Sequence, residues 1–304
     1  MSTPFEIDSF EEYLTTVRDE LPDGRIYFRG QSKPVGKGYA LKPSIGRYDR
    51  IKKCTLFERE QLEREVLGVF SNHLLTYVRH IPQTQWESLA IAQHHGLPTR
   101  FMDWTTNPLV ALYFAVRETD TDEDDKPLDS AVYVLTSDPL RYNDLIAPAA
   151  DTITPVPDLA TERAPSSTAY EEFGVDEKTA PQVPEAVTGP PPVVAVPGAE
   201  PAQSRQADRK GPPSPFAISE DVIYDPPHVS PRIRAQDGVL LACHKPMEAL
   251  EEKDYLEIVI RHGAHDDIRR RLDQYGVFHK QLFPDLDGIA KWLRYRMFEI
   301  DGTC

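Results

Sequence analysis

The chain has 304 residues, 40% of them hydrophobic, which is enough to bury a substantial core in one or two domains. A formal net charge of -15 argues against nucleic-acid binding through a broad basic surface. Apolar runs stay short of the ~18 residues a membrane span needs, and no apolar leader of signal-peptide type opens the sequence. The cysteines, Cys54, Cys243 and Cys304, form neither a metal-type pair nor a disulfide framework, so a cytoplasmic, reducing setting without a membrane partner is expected.

Ser9 to Glu20 reads as an amphipathic helix opened by a Ser9…Glu12 capping box. Arg25 to Arg29 is a strand. Leu56 to Tyr77 is a long helix. Thr84…Glu87 is a second capping box, opening a helix that Gly96 closes. The residues from Leu97 to Thr106 read as a polar loop between two helices, and Asn107-Pro108 as N-cap and first residue of the next helix, Leu109 to Arg117. The acidic run Thr119 to Lys126 is a solvated loop tip before the strand Ser130 to Thr136; it lacks the Gly turn and terminal Glu of a calcium loop. Gly238 to Cys243 and Tyr255 to Arg261 are apolar strands, with Cys243 a small buried hydrophobe. Asp266 to Tyr275 is a helix stopped by Gly276, and Asp285 to Glu299 a terminal helix.

The composition changes most sharply over 147–215. Half of the 28 prolines fall there, with few aromatics, so the segment buries too little apolar area to offset its ordering entropy and reads as a disordered, Pro-rich linker. The flanking parts, 1–146 and 216–304, each hold too few strands for a stable sheet. The fold expected is therefore α+β: a single domain with a mixed sheet and flanking helices, interrupted by a long disordered proline-rich insertion.

Two clusters carry the chemistry. Arg29 ends an aromatic-rich strand beside Gly30, where a guanidinium can point into a cleft and bind phosphate or carboxylate, or else pair with a structural Asp. Between Gln93 and Pro108 stand His94, His95, Arg100, Asp103, Trp104, Thr105 and Thr106. Arg100 and Asp103 can brace the loop, or Arg100 can hold an anion while Asp103 acts as base or polar orienter. Trp104 can be core or a stacking surface. Thr105 and Thr106 precede a helix N-terminus, which can attract a phosphate or simply be capped. Gln236 and Asp237 stand just before a strand, where a polar group can face a cleft. Adjacent histidines point apart on a helix, His262 and His265 lack acidic or Cys companions, and no metal site is expected.

Tyr27-Phe28-Arg29-Gly30-Gln31, then Ala92 to Pro108 with its His95-Gly96-Leu97-Pro98-Thr99-Arg100…Asp103-Trp104 core, then Ala111 to Ala115, resemble the FRG domain, a family named for the Phe-Arg-Gly found here at Phe28 to Gly30. Arg232-Ile233…Gln236…Gly238 and Leu282 to Gly288 resemble its later blocks. The resemblance implies a bacterial or phage protein, in some cases one with a defence-related role. Arg29-Gly30 and Thr105-Thr106…Phe114-Ala115 are also similar, more weakly, to blocks of arginine-type ADP-ribosyltransferases. That similarity implies NAD as co-substrate, with Arg29, Gly30, Arg100, Trp104, Thr105 and Thr106 as the binding set and Asp103 and Gln236 as the polar catalytic pair. The transferase glutamate would fall near Gln236, where no Glu stands; Asp237 or Asp103 can substitute. The expected function is an ADP-ribosyltransferase-like NAD-binding enzyme, an effector, toxin or phage-defence component, working on a nucleotide-like small molecule with a protein acceptor or partner. The alternatives are a non-catalytic nucleotide- or peptide-binding module, and a hydrolase or nuclease built on Asp103 and a histidine.

Overall fold

Helices start where the sequence places capping side chains, as four of them illustrate. In the computed structural model, which describes residues 4–21, 24–77, 81–146, 212–226 and 231–300, these are α1 (Phe10–Asp19), α4 (Gln85–His94), α5 (Pro108–Val116) and α10 (Leu286–Arg294). Their caps are Ser9, Thr84, Asn107 and Asp285, each accepting a backbone N–H from the first turn. Gly96, with φ of 84°, takes the left-handed conformation that ends α4. The remaining helices are α2 (Asp49–Lys52), α3 (Leu56–Tyr77), α6 (Tyr142–Leu145), α7 (Pro231–Ala235), α8 (His265–Gln274) and α9 (His279–Leu282). The terminal helix does not run uniformly to Glu299: α10 gives way at Tyr295 to a π-helical turn through Ile300.

Eight strands among the described residues form one mixed sheet: β1 (Phe5–Ile7), β2 (Phe28–Gln31), β3 (Phe101–Thr105), β4 (Ser130–Leu135), β5 (Leu140–Arg141), β6 (Val222–Tyr224), β7 (Gly238–Ala242) and β8 (Tyr255–Ile260). Their order is β1-β8-β4-β2-β3-β7-β6-β5, with β1–β8 and β5–β6 parallel and the other pairs antiparallel. Segments from before and after the insertion alternate across this sheet. Residues 97–106 are thus not a loop between helices. Phe101 to Thr105 is a central strand paired along its length with β7, and Phe101, Met102, Trp104 and Thr105 are buried. Burial on both faces removes the alternation by which a strand is read.

Register places Phe28 of β2 opposite Thr105 of β3, so Phe28, Thr105 and Phe101 share one face. That face carries two separate helical layers. Over β1-β8-β4-β2, Phe10 and Tyr13 of α1, Val110 and Leu112 of α5 and Ile268 of α8 pack on Phe28, Val132, Val134 and Ile258. Over β3-β7-β6, Trp86 and Leu89 of α4 and Leu67 of α3 pack on Phe101, Leu240 and Val222. The opposite face, with Met102, Trp104, Tyr133 and Leu241, packs against Leu41 and Val35.

The linker reading is corrected at its C-terminal edge. Residues 147–211 lie outside the described residues, but 212–215 belong to the fold. Trp86 Nε1 donates to the Pro213 carbonyl at 2.8 Å, Arg100 Nη1 donates to the Pro215 carbonyl at 3.0 Å, and Phe216 is buried. Proline lacks an N–H but keeps its carbonyl as an acceptor, so a proline-rich stretch can still be docked.

Candidate functional site

The sheet opens at its centre. β2 and β3 share a single residue pair, Phe28 with Thr105, although both strands continue. Cys243 N–H donates to the Arg100 carbonyl and Thr106 N–H to the Asp237 carbonyl, so the even-numbered residues of β3 bond to β7. Asp103 therefore turns its backbone N–H and carbonyl toward β2. Leu135 N–H donates to the Tyr27 carbonyl, and by the same alternation Gly30 turns its backbone groups toward β3. A split lined by backbone donors and acceptors results.

Gly30 also lets α5 approach. A Cβ at that position would lie 1.9 Å from the Ala111 carbonyl oxygen, so only glycine allows this contact. The cleft at the split has a volume of about 340 Å³ and lies between α5 and α4, with α7 alongside. That volume falls within the roughly 300–1,000 Å³ common for ligand pockets.

Arg29 reaches across the opening. Its Nη1 donates to the Asp103 carbonyl, and its Nε lies 3.4 Å from Gln31 Oε1. Burial lowers the pKa of this guanidinium, and the Asp103 carboxylate opposes that shift. Arg117 and Arg232 line the same cleft, whose single acidic wall residue is Asp103. Burial lowers the Arg232 pKa too, against the pull of Asp103 and Asp285, and its guanidinium stacks 4.4 Å from the centre of the Phe283 ring. Three arginines facing one carboxylate make the cleft receptive to an anion.

A hydrogen-bond relay fixes Asp103. Gln93 Nε2 donates to Asp103 Oδ2 at 3.0 Å, and Gln93 Oε1 accepts from the Thr99 hydroxyl at 2.6 Å. The Thr99 hydroxyl in turn accepts the Phe101 N–H at 3.0 Å. The polar density of the motif thus serves to hold one exposed carboxylate at the mouth of the split. Trp104 is 2% exposed, lines the cleft, and its indole N–H has no acceptor among the described residues. His94 also lines the cleft, its pKa lowered by burial and then by the nearby charges of Arg232 and His95.

Arg29, Gly30, Asp103, Trp104, Thr105 and Gln236 are brought together here, whereas Arg100 and Thr106 are not among the cleft walls. Arg100 belongs to the core. It forms a two-pronged ion pair with Glu63 of α3, at 2.7 and 2.9 Å, with the side chains only 3% and 4% exposed. Neither a brace to Asp103 nor an anion-binding role describes it, because it is buried outside the cleft and bonded to Glu63 and Pro215. Thr106 is exposed, and its N–H is bonded to the Asp237 carbonyl. Thr105 uses its hydroxyl proton on the Gln236 carbonyl at 2.7 Å and accepts the Asn107 N–H at 3.0 Å. Gln236 donates its amide to the Leu282 carbonyl at 3.0 Å. The α5 N-terminus is capped by Asn107, whose own amide donates to Asp237, a residue with φ of 45°.

Gln31, Tyr39, Gln93, Arg117, Arg232 and Ile233 complete the walls without having been singled out from the sequence for this site. The signal for Gln93 and Arg232 was their place in the blocks that resemble the FRG family; Arg117 had none beyond charge. Among the described residues no group of three or more His, Cys, Asp or Glu is placed to hold a metal ion, and no helix is long and apolar enough to cross a membrane.

A split central sheet with an arginine-lined cleft is the arrangement on which the comparisons bear. Residues 24–124 match the family model of the FRG domain, and the chain carries that domain. The matched span holds Arg29, Gln93, Asp103 and Arg117, while the wall contributed by α7 and β7 lies beyond it. No curated protein and no solved structure matches the chain.

Proposed function

We propose that the cleft binds a pyrophosphate-containing nucleotide, NAD in the first instance, and that the protein is an ADP-ribosyltransferase-like enzyme. The observation that carries this reading is the opening between β2 and β3, where Gly30 and Asp103 turn backbone donors and acceptors toward each other beside Arg29. An edge of that kind pairs with a carboxamide, which offers one donor face and one acceptor. Arg29, Arg117 and Arg232 suit the pyrophosphate. The aromatic walls Tyr39, Trp104 and Phe114 suit a base or a nicotinamide ring.

Asp103 is the residue assigned to the chemistry. Breaking the bond between ribose and nicotinamide builds positive charge on the sugar, and the single carboxylate of the cleft, oriented by Gln93, stabilises it. Gln236 supports the wall rather than the reaction, since its amide is held by Leu282. An effector, toxin or phage-defence role, with a protein as acceptor, belongs to this proposal and rests on the family resemblance alone. The second reading, a module that binds the nucleotide without turnover, is favoured by the amide at Gln236, where the transferases carry a glutamate.

One experiment separates the readings. The protein is incubated with NAD, with and without cell lysate, and free nicotinamide is followed by mass spectrometry, while calorimetry measures NAD and ADP-ribose binding. Nicotinamide release that is lost in a folded, ligand-binding Asp103→Asn variant supports the enzyme. Binding without release supports the module. Absence of binding to either ligand removes both.

A further inference from the structure

Two buried side-chain nitrogens have no acceptor among the described residues, and each belongs to an indole that lines a cavity. Trp104 belongs to the cleft. Trp292 of α10 belongs to a second cavity of about 250 Å³, formed by the C-terminal end of α5, the turn before α9, and α10. A buried donor left without an acceptor costs about 1–3 kcal/mol, so such groups call for an explanation.

The walls of this second cavity run against the charge of the chain. The whole chain carries -15, yet Arg117, Arg269, Lys291 and Arg294 meet here with only Glu118 and Asp273 as acids. Arg269 is occupied by the Val116 carbonyl and Asp266. Arg117, Lys291 and His279 line the cavity together; burial lowers the His279 pKa, the charges of Lys291 and Arg117 add to that shift, and those of Asp285 and Glu118 oppose it. His279 Nδ1 is 2.7 Å from the Tyr113 hydroxyl. Of the two acids that line the cavity, Asp273 lies 3.6 Å from Arg296. A guanidinium and an ammonium donate and neither accepts. Their common complement is an oxygen-rich anion of more than one negative charge.

We infer that the cavity between α5 and α10 is a second ligand site, distinct from the cleft, that takes the phosphate group of a small phosphorylated molecule through Arg117 and Lys291, beside the Trp292 ring. Arg117 also lines the cleft, so the two sites share a wall residue at the end of α5. The inference holds whatever the cleft binds.

The test uses the indole itself. The chain has three tryptophans, and their indole N–H signals are assigned by comparison with Trp292→Phe. Inorganic pyrophosphate is titrated into the full chain at constant ionic strength, with sodium chloride as the control. The expected result is a saturable shift of the Trp292 indole signal that chloride does not give. Lys291→Gln and Arg117→Gln each weaken it about tenfold or more, a loss in keeping with one charge-assisted contact. Arg29→Lys, which alters only the cleft, leaves it in place. A Trp292 signal that does not move, moves equally with chloride, or saturates equally in Lys291→Gln overturns the inference. A shift at Trp104 that depends on Arg29 reports the cleft alone, so failure at one site is told from failure at the other.

Discussion

Arg29 lies in β2 and Arg100 immediately before β3, yet the two arginines are used in opposite ways. Arg100 is closed off: a carboxylate grips it on two sides, a carbonyl takes a further N–H, and the Phe216 ring lies over it. Arg29 is held open. It rests on a backbone carbonyl and a side-chain amide, with its nearest acid, Asp103, bonded instead to Gln93. A buried guanidinium with its own carboxylate is part of the scaffold, whereas one kept in position by neutral groups retains its charge for a ligand.

The largest effect that sharpens this contrast is expected at Arg100. Arg100→Ala strands Glu63 in the core and should cost about 3–5 kcal/mol. Thermal unfolding should show a fall of roughly 6–20 °C. Arg100→Met combined with Glu63→Leu should recover most of the loss, because no unpaired charge remains. If Arg100→Ala melts like Arg29→Ala, the two residues are not used differently.

Next in size is Gly30→Ala. The new methyl meets the Ala111 carbonyl and the Ala115 N–H, so α5 must lift from β2. A loss of about 1–3 kcal/mol is expected, as for other over-packed contacts. Wild-type stability together with wild-type cleft binding would show that α5 is free to move away from β2.

Arg29→Lys should spare the melting temperature and weaken NAD or ADP-ribose binding by roughly tenfold, about 1.4 kcal/mol, since an ammonium cannot reproduce the two-pronged geometry. Equal calorimetric affinity in the two proteins would take Arg29 out of the site.

The smallest effect is one of pH. His265 is buried, bridging the Thr119 and Ser130 hydroxyls at 2.9 Å each, and burial pulls its pKa below 6.5. The unfolded chain then takes up a proton before the folded one does. Stability is full above the unfolded pKa of about 6.5 and falls as the pH drops toward the depressed folded value. His94 and His279 are lowered in the same direction. Each such group contributes a slope of up to about 1.4 kcal/mol per pH unit. Melting curves between pH 7 and 5.5 should be flatter for His265→Gln, by the share of one proton; an unchanged slope would mean that His265 titrates normally.

The sequence was most informative where structure is local. The helices opened by Ser9, Thr84 and Asn107 follow from a cap, an apolar face and a stop within a dozen residues, whereas the strand expected over Arg25 to Arg29 is shifted: β2 begins at Phe28 and runs past Arg29 to Gln31. Strand β3 was not legible, because every residue of Phe101 to Thr105 but Asp103 is buried and its polar neighbours mimic a loop. Strands β1, β5 and β6, of two or three residues each, carry too little pattern to be read and exist through their pairing. The fate of Arg100 depended on Glu63, 37 positions earlier, and on Pro215, 115 positions later. Spacing within the motif suggested Asp103 as its partner, and only the fold reveals the true one.

The order of strands has a consequence for how the protein is made. β8 lies between β1 and β4, and β7 is the outer neighbour of β3, so each half of the sheet needs a strand from the far side of the insertion. During synthesis β1, β3 and β4 are completed long before their partners emerge from the ribosome, and their edges wait with unpaired amides and carbonyls, the condition that invites association with other chains. The waiting time grows in proportion to the length of the insertion. The entropy of closing the loop does not: doubling its length adds only about 0.6 kcal/mol. The long excursion is therefore tolerated thermodynamically, and its main burden falls on the nascent chain.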